Sequence, residues 1–314
     1  MDVFWFSFNA TIPLFVVAAV GYLLKRAGIL SAELVAPLNA LCFKVLIPCS
    51  LFRAAMTARL SPGYGALALF MLSTLTGSIL VMCWLIPKAI PSRRQSAAVI
   101  QGAFRSNLAL LCLPLALNLY GEIIAPPMVV VLAVMIPALN VAAVLLLSSF
   151  SESGGQRPGP RQMARDMASN PLIIATLLGL AVAAVRLELP VVVSKPVGDL
   201  ANAAVPLSML VMGAQFNFGS FVRNRGPIAL SASLKLAVFP LLFTLLAIGV
   251  GFDPLMVCVV YLAWAVPCAS SSVPMTAAMG GDSALAGEIL LVETALAGPT
   301  LFAGVFILRM AGFV

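Results

Sequence analysis

Apolar stretches of about 20 residues recur from one end of the chain to the other, each long enough to cross a hydrocarbon layer roughly 30 Å thick. They lie near 4–24, 34–56, 64–86, 95–120, 126–149, 170–186, 196–216, 227–249, 254–279 and 285–309. No window is left for a sizeable soluble domain. The chain is 62% hydrophobic and 9% charged with mean hydropathy +1.10, whereas a soluble domain carries about 25% charged residues. The expected fold is therefore an all-α integral membrane protein of about ten transmembrane helices.

The first positive charges are Lys25 and Arg26, so the amino end lacks the basic flank that opens a cleavable signal peptide, and the first segment is expected to stay as a helix. All six cysteines fall inside apolar segments without a CxxC pair, and the chain has no histidine. Structural zinc and a disulfide framework are not expected, and no cofactor or metal is implied. The cysteines read as small packing residues. The formal charge of +7 sits in short loops rather than on one solvated face, so it signals membrane topology and not a nucleic-acid partner.

With the amino end outside, cytoplasmic loops hold Lys25, Arg26, Lys88, Arg93, Arg94, Arg157, Arg161, Arg165, Arg223 and Arg225. The outer side holds Arg53, Arg59, Arg186, Lys195 and Arg309. This imbalance favours both termini outside. The hydrophilic, Gly-, Pro- and Arg-rich stretch Ser151 to Asp166 reads as a cytoplasmic linker at mid-chain. A shift of 158 lays Pro13 on Pro171, Gly21 on Gly179 and Pro48 on Pro206, and a shift of 160 lays Pro114 on Pro274, Gly121 on Gly281 and Glu122 on Asp282. The expected organisation is a five-helix repeat over 1–150, a linker over 151–169 and a second five-helix repeat over 170–314. Five spans per repeat force the second copy to enter the bilayer inverted, an architecture that puts a site near the midplane where equivalent broken helices meet.

Two spans carry the signs of such breaks. Span four, AAVIQGAFRSNLALLCLPLALNLYGE, is expected to break between Asn107 and Pro114, because proline removes a helical donor and clashes with the preceding turn. In span nine, Pro267 and Pro274 bracket Ser270, Ser271 and Ser272. Unpaired backbone at membrane depth is tolerated only when buried in protein or lining a cavity. Pro114 and Pro274 suit the first turn of second half-helices, whose amides attract anions. Asn107 and the serines add neutral donors, and neither break contains an acidic residue, which fits a carboxylate better than a metal cation. Pro48 and Pro206 read as kinks in scaffold helices.

Charges within spans are costly and mark function or pairing. Arg105 lies two residues before Asn107, either drawing in the substrate or snorkelling toward the cytoplasm. Lys44 lies one turn before Pro48. Glu293 is the acidic residue deep in span ten, fit to carry a coupled proton or to pair with Lys235 or Lys44.

With Asn107, Pro114 and the Tyr120-Gly121-Glu122 ending in place, span four resembles the crossover helix of the auxin efflux carrier family, within the bile acid/auxin transporter superfamily. The resemblance extends through IPLFVVAAVGYLLKRAGIL (Ile12 to Leu30), LNALCFKVLIPCSLF (Leu38 to Phe52), NPLIIATLLGL (Asn170 to Leu180) and AVPLSMLVMGAQF (Ala204 to Phe216). It implies a homodimerising scaffold of spans 1, 2, 6 and 7, and a moving bundle of spans 3–5 and 8–10 around crossed spans four and nine. It also puts Asn107 at the substrate site and makes Pro114 and Pro267 the crossover prolines. The chain departs from the pattern with Cys112 where glycine is usual, with the Ser270–Ser272 run and extra Pro274, and with its short linker.

The expected function is a secondary transporter of the cell inner membrane that moves a small organic anion, a carboxylate such as malonate, malate or an auxin-like acid, by alternating access. Its expected site is Asn107, Arg105, Pro114, Pro267, Ser270, Ser271, Ser272 and Pro274. Export down an inside-negative potential needs no coupling ion, and the alternative is proton- or sodium-coupled uptake. A receptor or channel of the same fold is the other class. An intramembrane enzyme is disfavoured, because the chain has no histidine for Ser–His or HExxH chemistry and no GxGD sequence.

Overall fold

A computed structural model describes residues 16–57, 63–150, 171–185, 189–214 and 224–313, with Pro13, Arg165, Ser169 and Leu187 besides. Most of the expected linker, the start of the first span, and Arg59, Arg157, Arg161, Arg186, Arg223 and Phe216 lie outside the described residues. Among the described residues the chain is helical, with no strand and a single isolated β-bridge between Ser106 and Cys268.

The helices are α1 (16–26), α2 (Ala32–Leu41), α3 (Ile47–Thr57), α4 (Gly63–Ala89), α5 (Arg93–Phe104), α6 (Leu113–Tyr120) and α7 (Ala125–Phe150). They continue as α8 (Pro171–Ala184), α9 (Val191–Ala214), α10 (Arg225–Ser233), α11 (Phe239–Val250), α12 (Pro254–Ala265), α13 (Ser272–Ala278) and α14 (Ser283–Met310). Among the described residues, six helical runs are long and apolar enough to cross a membrane: Glu33–Arg53, Gly63–Ala89, Leu108–Phe150, Val191–Ala214, Arg225–Val250 and Ser283–Met310. The chain is thus a multi-pass membrane protein. The other expected spans fall on shorter pieces, because α1 and α8 adjoin undescribed residues and spans four and nine are interrupted.

Prolines shape the long helices in a common way. Three π-helical turns, Cys42–Leu46, Leu108–Cys112 and Leu234–Val238, each end two residues before a proline: Pro48, Pro114 and Pro240. A proline cannot donate to the carbonyl four residues back, and its ring crowds that carbonyl. One wider turn ahead of it shifts the register and relieves both problems. Accordingly, the Ile47 N–H reaches the Cys42 carbonyl, and the Phe239 N–H reaches that of Leu234.

The chain divides into two compact units. The first comprises Met1–Tyr64, Ala109–Ala133 and Arg161–Phe216. Here α1 meets α9 at glycines: a side-chain carbon on Gly21 would overlap the Leu210 carbonyl, and one on Gly213 would overlap the Ala18 carbonyl. Gly179 in α8 lies against α3 in the same manner, its Cβ position 2.6 Å from the Phe52 carbonyl oxygen. Gly21 and Gly179 are 158 residues apart, and so are their partners Phe52 and Leu210. Arg53 in α3 donates to Asn202 of α9 at 2.8 Å and to Glu122, beyond α6, at 2.9 Å.

The second unit comprises Gly65–Leu108, Val134–Pro160 and Asn217–Val314. The helices that open its two interrupted segments match in length and spacing. α5 and α12 are both 12 residues long and 161 positions apart. Their N-caps match too, Ser92 accepting from the Gln95 N–H and Asp253 from the Met256 N–H. Both helices end on an extended residue, Arg105 (φ −79°, ψ 114°) and Val266 (φ −68°, ψ 146°).

Candidate functional site

Where α5 and α12 stop, the two chains run antiparallel. Asn107 donates its amide to the Pro267 carbonyl at 2.9 Å, and Ser106 and Cys268 form the bridge. The first interruption covers Arg105 to Asn107 and ends at the π-helical turn, so it lies upstream of the expected stretch between Asn107 and Pro114. Pro114 is the second residue of α6, a first-turn position that tolerates its missing N–H. The second interruption runs from Val266 to Ser271, with Pro267 within it, Ser272 opening α13 and Pro274 third in that helix.

Several amides at the breaks have partners within the protein. The Leu108 N–H bonds the Ser106 carbonyl, the Ser272 N–H bonds that of Ala269, and the Cys268 N–H bonds Glu293 Oε2 at 2.9 Å. Buried backbone polar groups find partners, and here the Asn107 amide of the first interruption finds the Pro267 carbonyl of the second. Beside these amides, side chains at the crossing form a candidate site.

That site centres on Arg105, which is 6% exposed. Its Nη2 donates to Asn140 Oδ1 at 2.8 Å and to Ser271 Oγ at 3.1 Å, and its Nη1 donates to Met275 Sδ at 2.8 Å. All three acceptors are neutral. One turn earlier, Gln101 is fully buried, with one end of its amide 2.6 Å from Thr276 Oγ1 and the other without a hydrogen-bond partner among the described residues. A buried amide group left unfilled costs about 1–3 kcal/mol, and a ligand's polar atom would satisfy it. Asn107 is buried beside Arg105.

Extended backbone sends successive side chains to opposite faces. Ser106 accordingly points away from Arg105 and Asn107, and accepts a short hydrogen bond from Lys235 Nζ. Lys235 and Glu293 are both fully buried there. The Glu293 carboxylate accepts from Ser231 Oγ at 2.9 Å as well as from the Cys268 amide, and Lys235 acts on it electrostatically.

The second unit thus brings Arg105, Asn107, Pro267, Ser271, Lys235 and Glu293 around one crossing. Ser270 is half-buried, and Ser272 is buried with its Oγ 3.0 Å from Cys268 Sγ. Pro114 and Lys44 belong to the first unit, where Lys44 is exposed. Sequence reasoning missed Gln101, Ser106, Asn140, Ser231, Met275 and Thr276. Asn140 had a legible signal, an amide in the middle of the apolar run ALNVAAVLLL. Gln101 had another, one turn before an intramembrane arginine.

A family model described as membrane transport protein matches residues 6–303. A protein of Rhizobium meliloti (strain 1021) that bears the name "Putative malonate transporter" is 24% identical over 308 residues, spanning 95% of this chain and 94% of its own length.

Proposed function

Because the chain belongs to the membrane transport protein family, that of the auxin efflux carriers, we propose that it is a secondary carrier for a small carboxylate. In this reading the carboxylate binds at the crossing of the two interrupted segments, and the carrier works by alternating access. The family is one of transporters and not of enzymes. Arg105 carries the reading. A guanidinium buried at membrane depth among Asn140, Ser271 and Met275 has no carboxylate bonded to it among the described residues, a costly arrangement unless an anion arrives. The unfilled Gln101 amide and the neighbouring Asn107 extend the set of polar groups beside it. The name of the Rhizobium relative makes malonate the first substrate to try.

The inverted repeat is supported by the 158-residue spacing shared by the Gly21–Leu210 and Phe52–Gly179 contacts, and by the paired caps and lengths of α5 and α12. We take α1–α3, α8 and α9 as the scaffold and dimer-forming part, and the second unit as the moving bundle. The loop charges put both termini outside a bacterial inner membrane. The membrane potential alone, at about 2.3 kcal/mol per charge per 100 mV, drives an anion outward. Inward transport needs a cation to travel with it, and a fully buried carboxylate at the crossing, Glu293, favours this second reading.

Counterflow of labelled malonate into proteoliposomes preloaded with malonate tests the carrier reading. Exchange should be saturable, with malate and indoleacetate ranked as competitors, and Asn107→Ala should lower it at least tenfold. Unchanged affinity and rate in Asn107→Ala would remove the crossing as the substrate site.

A further inference from the structure

We propose that Glu293 is the proton-carrying group of this carrier, and that one proton binds there together with a dicarboxylate at the crossing; the proposal rests on the carrier reading above. Glu293 lies on the face of the crossing away from Arg105 and Asn107, yet it grips the second interruption directly through the Cys268 amide at 2.9 Å. Lys235 grips the first interruption on the same face through Ser106. Ser106 and Cys268 are the bridged pair. The charge state of Glu293 is therefore wired to the backbone that forms the crossing.

The surroundings satisfy the carboxyl in both protonation states. Ser231 Oγ is 2.9 Å from Glu293 Oε1 and 3.3 Å from the Val99 carbonyl oxygen. When Glu293 is ionised, the Ser231 hydroxyl donates to it. When a proton from water forms an O–H bond at Oε1, that group donates to Ser231 Oγ and the serine hydroxyl turns to Val99. Oε2 keeps the Cys268 N–H throughout. Loading and release of the proton therefore cost one hydroxyl rotation and orphan no buried polar group. A carboxylate needed only to cap the Cys268 amide would not require a hydroxyl with a second acceptor behind it.

The charge count identifies the class of substrate. Lys235, on the π-helical turn after α10, and the Cys268 thiol, in the second interruption, face Glu293, and Arg105 acts on Cys268 from the other side. α5 presents the neutral Val99 carbonyl and Gly102 to it. Among the described residues, Arg105 and Lys235 outweigh an ionised Glu293 by one positive charge and a protonated one by two. A dianion matches the protonated state, so proton and dicarboxylate binding favour each other, reciprocally. One proton then moves with each dianion.

The test is accumulation of labelled malonate in proteoliposomes with the voltage clamped and a pH gradient, acid outside, imposed. Wild-type accumulation should rise about tenfold per unit of pH gradient, the yield of one coupled proton. A sodium gradient should add nothing. Glu293→Gln, which mimics the protonated side chain, should lose this dependence whatever fraction of exchange it keeps. Proton uptake on adding malonate to the wild-type protein in weakly buffered detergent near pH 7 gives a readout independent of any variant, expected at about one proton per site. Accumulation that ignores the pH gradient, dependence surviving in Glu293→Gln, or malonate binding without proton uptake overturns the proposal while counterflow still upholds the carrier reading. Absence of counterflow in the wild type overturns both.

Discussion

Arg105→Met is expected to lower malonate flux by about a hundredfold or more while moving the melting temperature by only a few degrees. The charge at membrane depth costs about 2.5–3.5 kcal/mol, and its hydrogen bonds to Asn140, Ser271 and Met275 return a similar amount. Removing the side chain therefore leaves stability nearly balanced. The loss to transport is not balanced, because a desolvated charge partner of a substrate carboxylate is worth about 2–5 kcal/mol, or roughly 30- to several-thousand-fold. Two further variants separate charge from geometry. Arg105→Lys keeps the charge, but one ammonium cannot reproduce the planar fork that spans three acceptors, so about a tenfold loss is expected. Asn140→Asp supplies a permanent anion 2.8 Å from the guanidinium, and should block transport while raising the melting temperature. Thermal melts in detergent beside counterflow in proteoliposomes give both readouts. Flux near wild type in Arg105→Met would dissociate Arg105 from the substrate.

The helical, membrane-spanning character was legible because apolar length alone decides it, and the two interruptions were legible because prolines sit in otherwise lipid-compatible sequence. Their exact position was not. Pro114 drew the expected break toward itself, whereas the structure meets that proline with a π-helical turn and opens the helix at Arg105–Asn107, where Pro267 and Cys268 of the other segment supply the pairing. A partner 160 residues away leaves no local signature. The same reason explains the chemistry. Arg105 and Glu293 stood out as lone intramembrane charges, but Asn140, Ser231 and Gln101 acquire roles only through contacts across helices. The expected pairing partner of Glu293 was a lysine. Lys235 does act on the carboxylate electrostatically, and a backbone amide and a hydroxyl fill it besides, because an interrupted helix releases an amide that needs an acceptor as much as a lysine needs a counter-charge.

Gly213→Ala and Gly198→Ala lie in the same helix, α9, and are expected to act in opposite directions. At Gly213 the added carbon would overlap the Ala18 carbonyl of α1, and backbone cannot rotate aside as a side chain does. The helices must part, which also strains the neighbouring contact of Gly21 on the Leu210 carbonyl. Overpacking usually costs about 1–3 kcal/mol. With a backbone obstacle the upper end is expected, a large share of a total stability of about 5–15 kcal/mol. The melting temperature should fall by about 6–12 °C, and Gly213→Val should yield little folded protein. Gly198 has open space where its side chain would be, so alanine there gains about 0.4–1 kcal/mol by restricting the unfolded chain. Gly179→Ala should repeat the Gly213 penalty, since its Cβ position lies 2.6 Å from the Phe52 carbonyl oxygen and 2.7 Å from the Ala55 side chain. Melts followed by size-exclusion fluorescence in one detergent compare all four variants directly. A Gly213→Ala protein as stable as Gly198→Ala would mean that α1 and α9 do not approach to backbone contact.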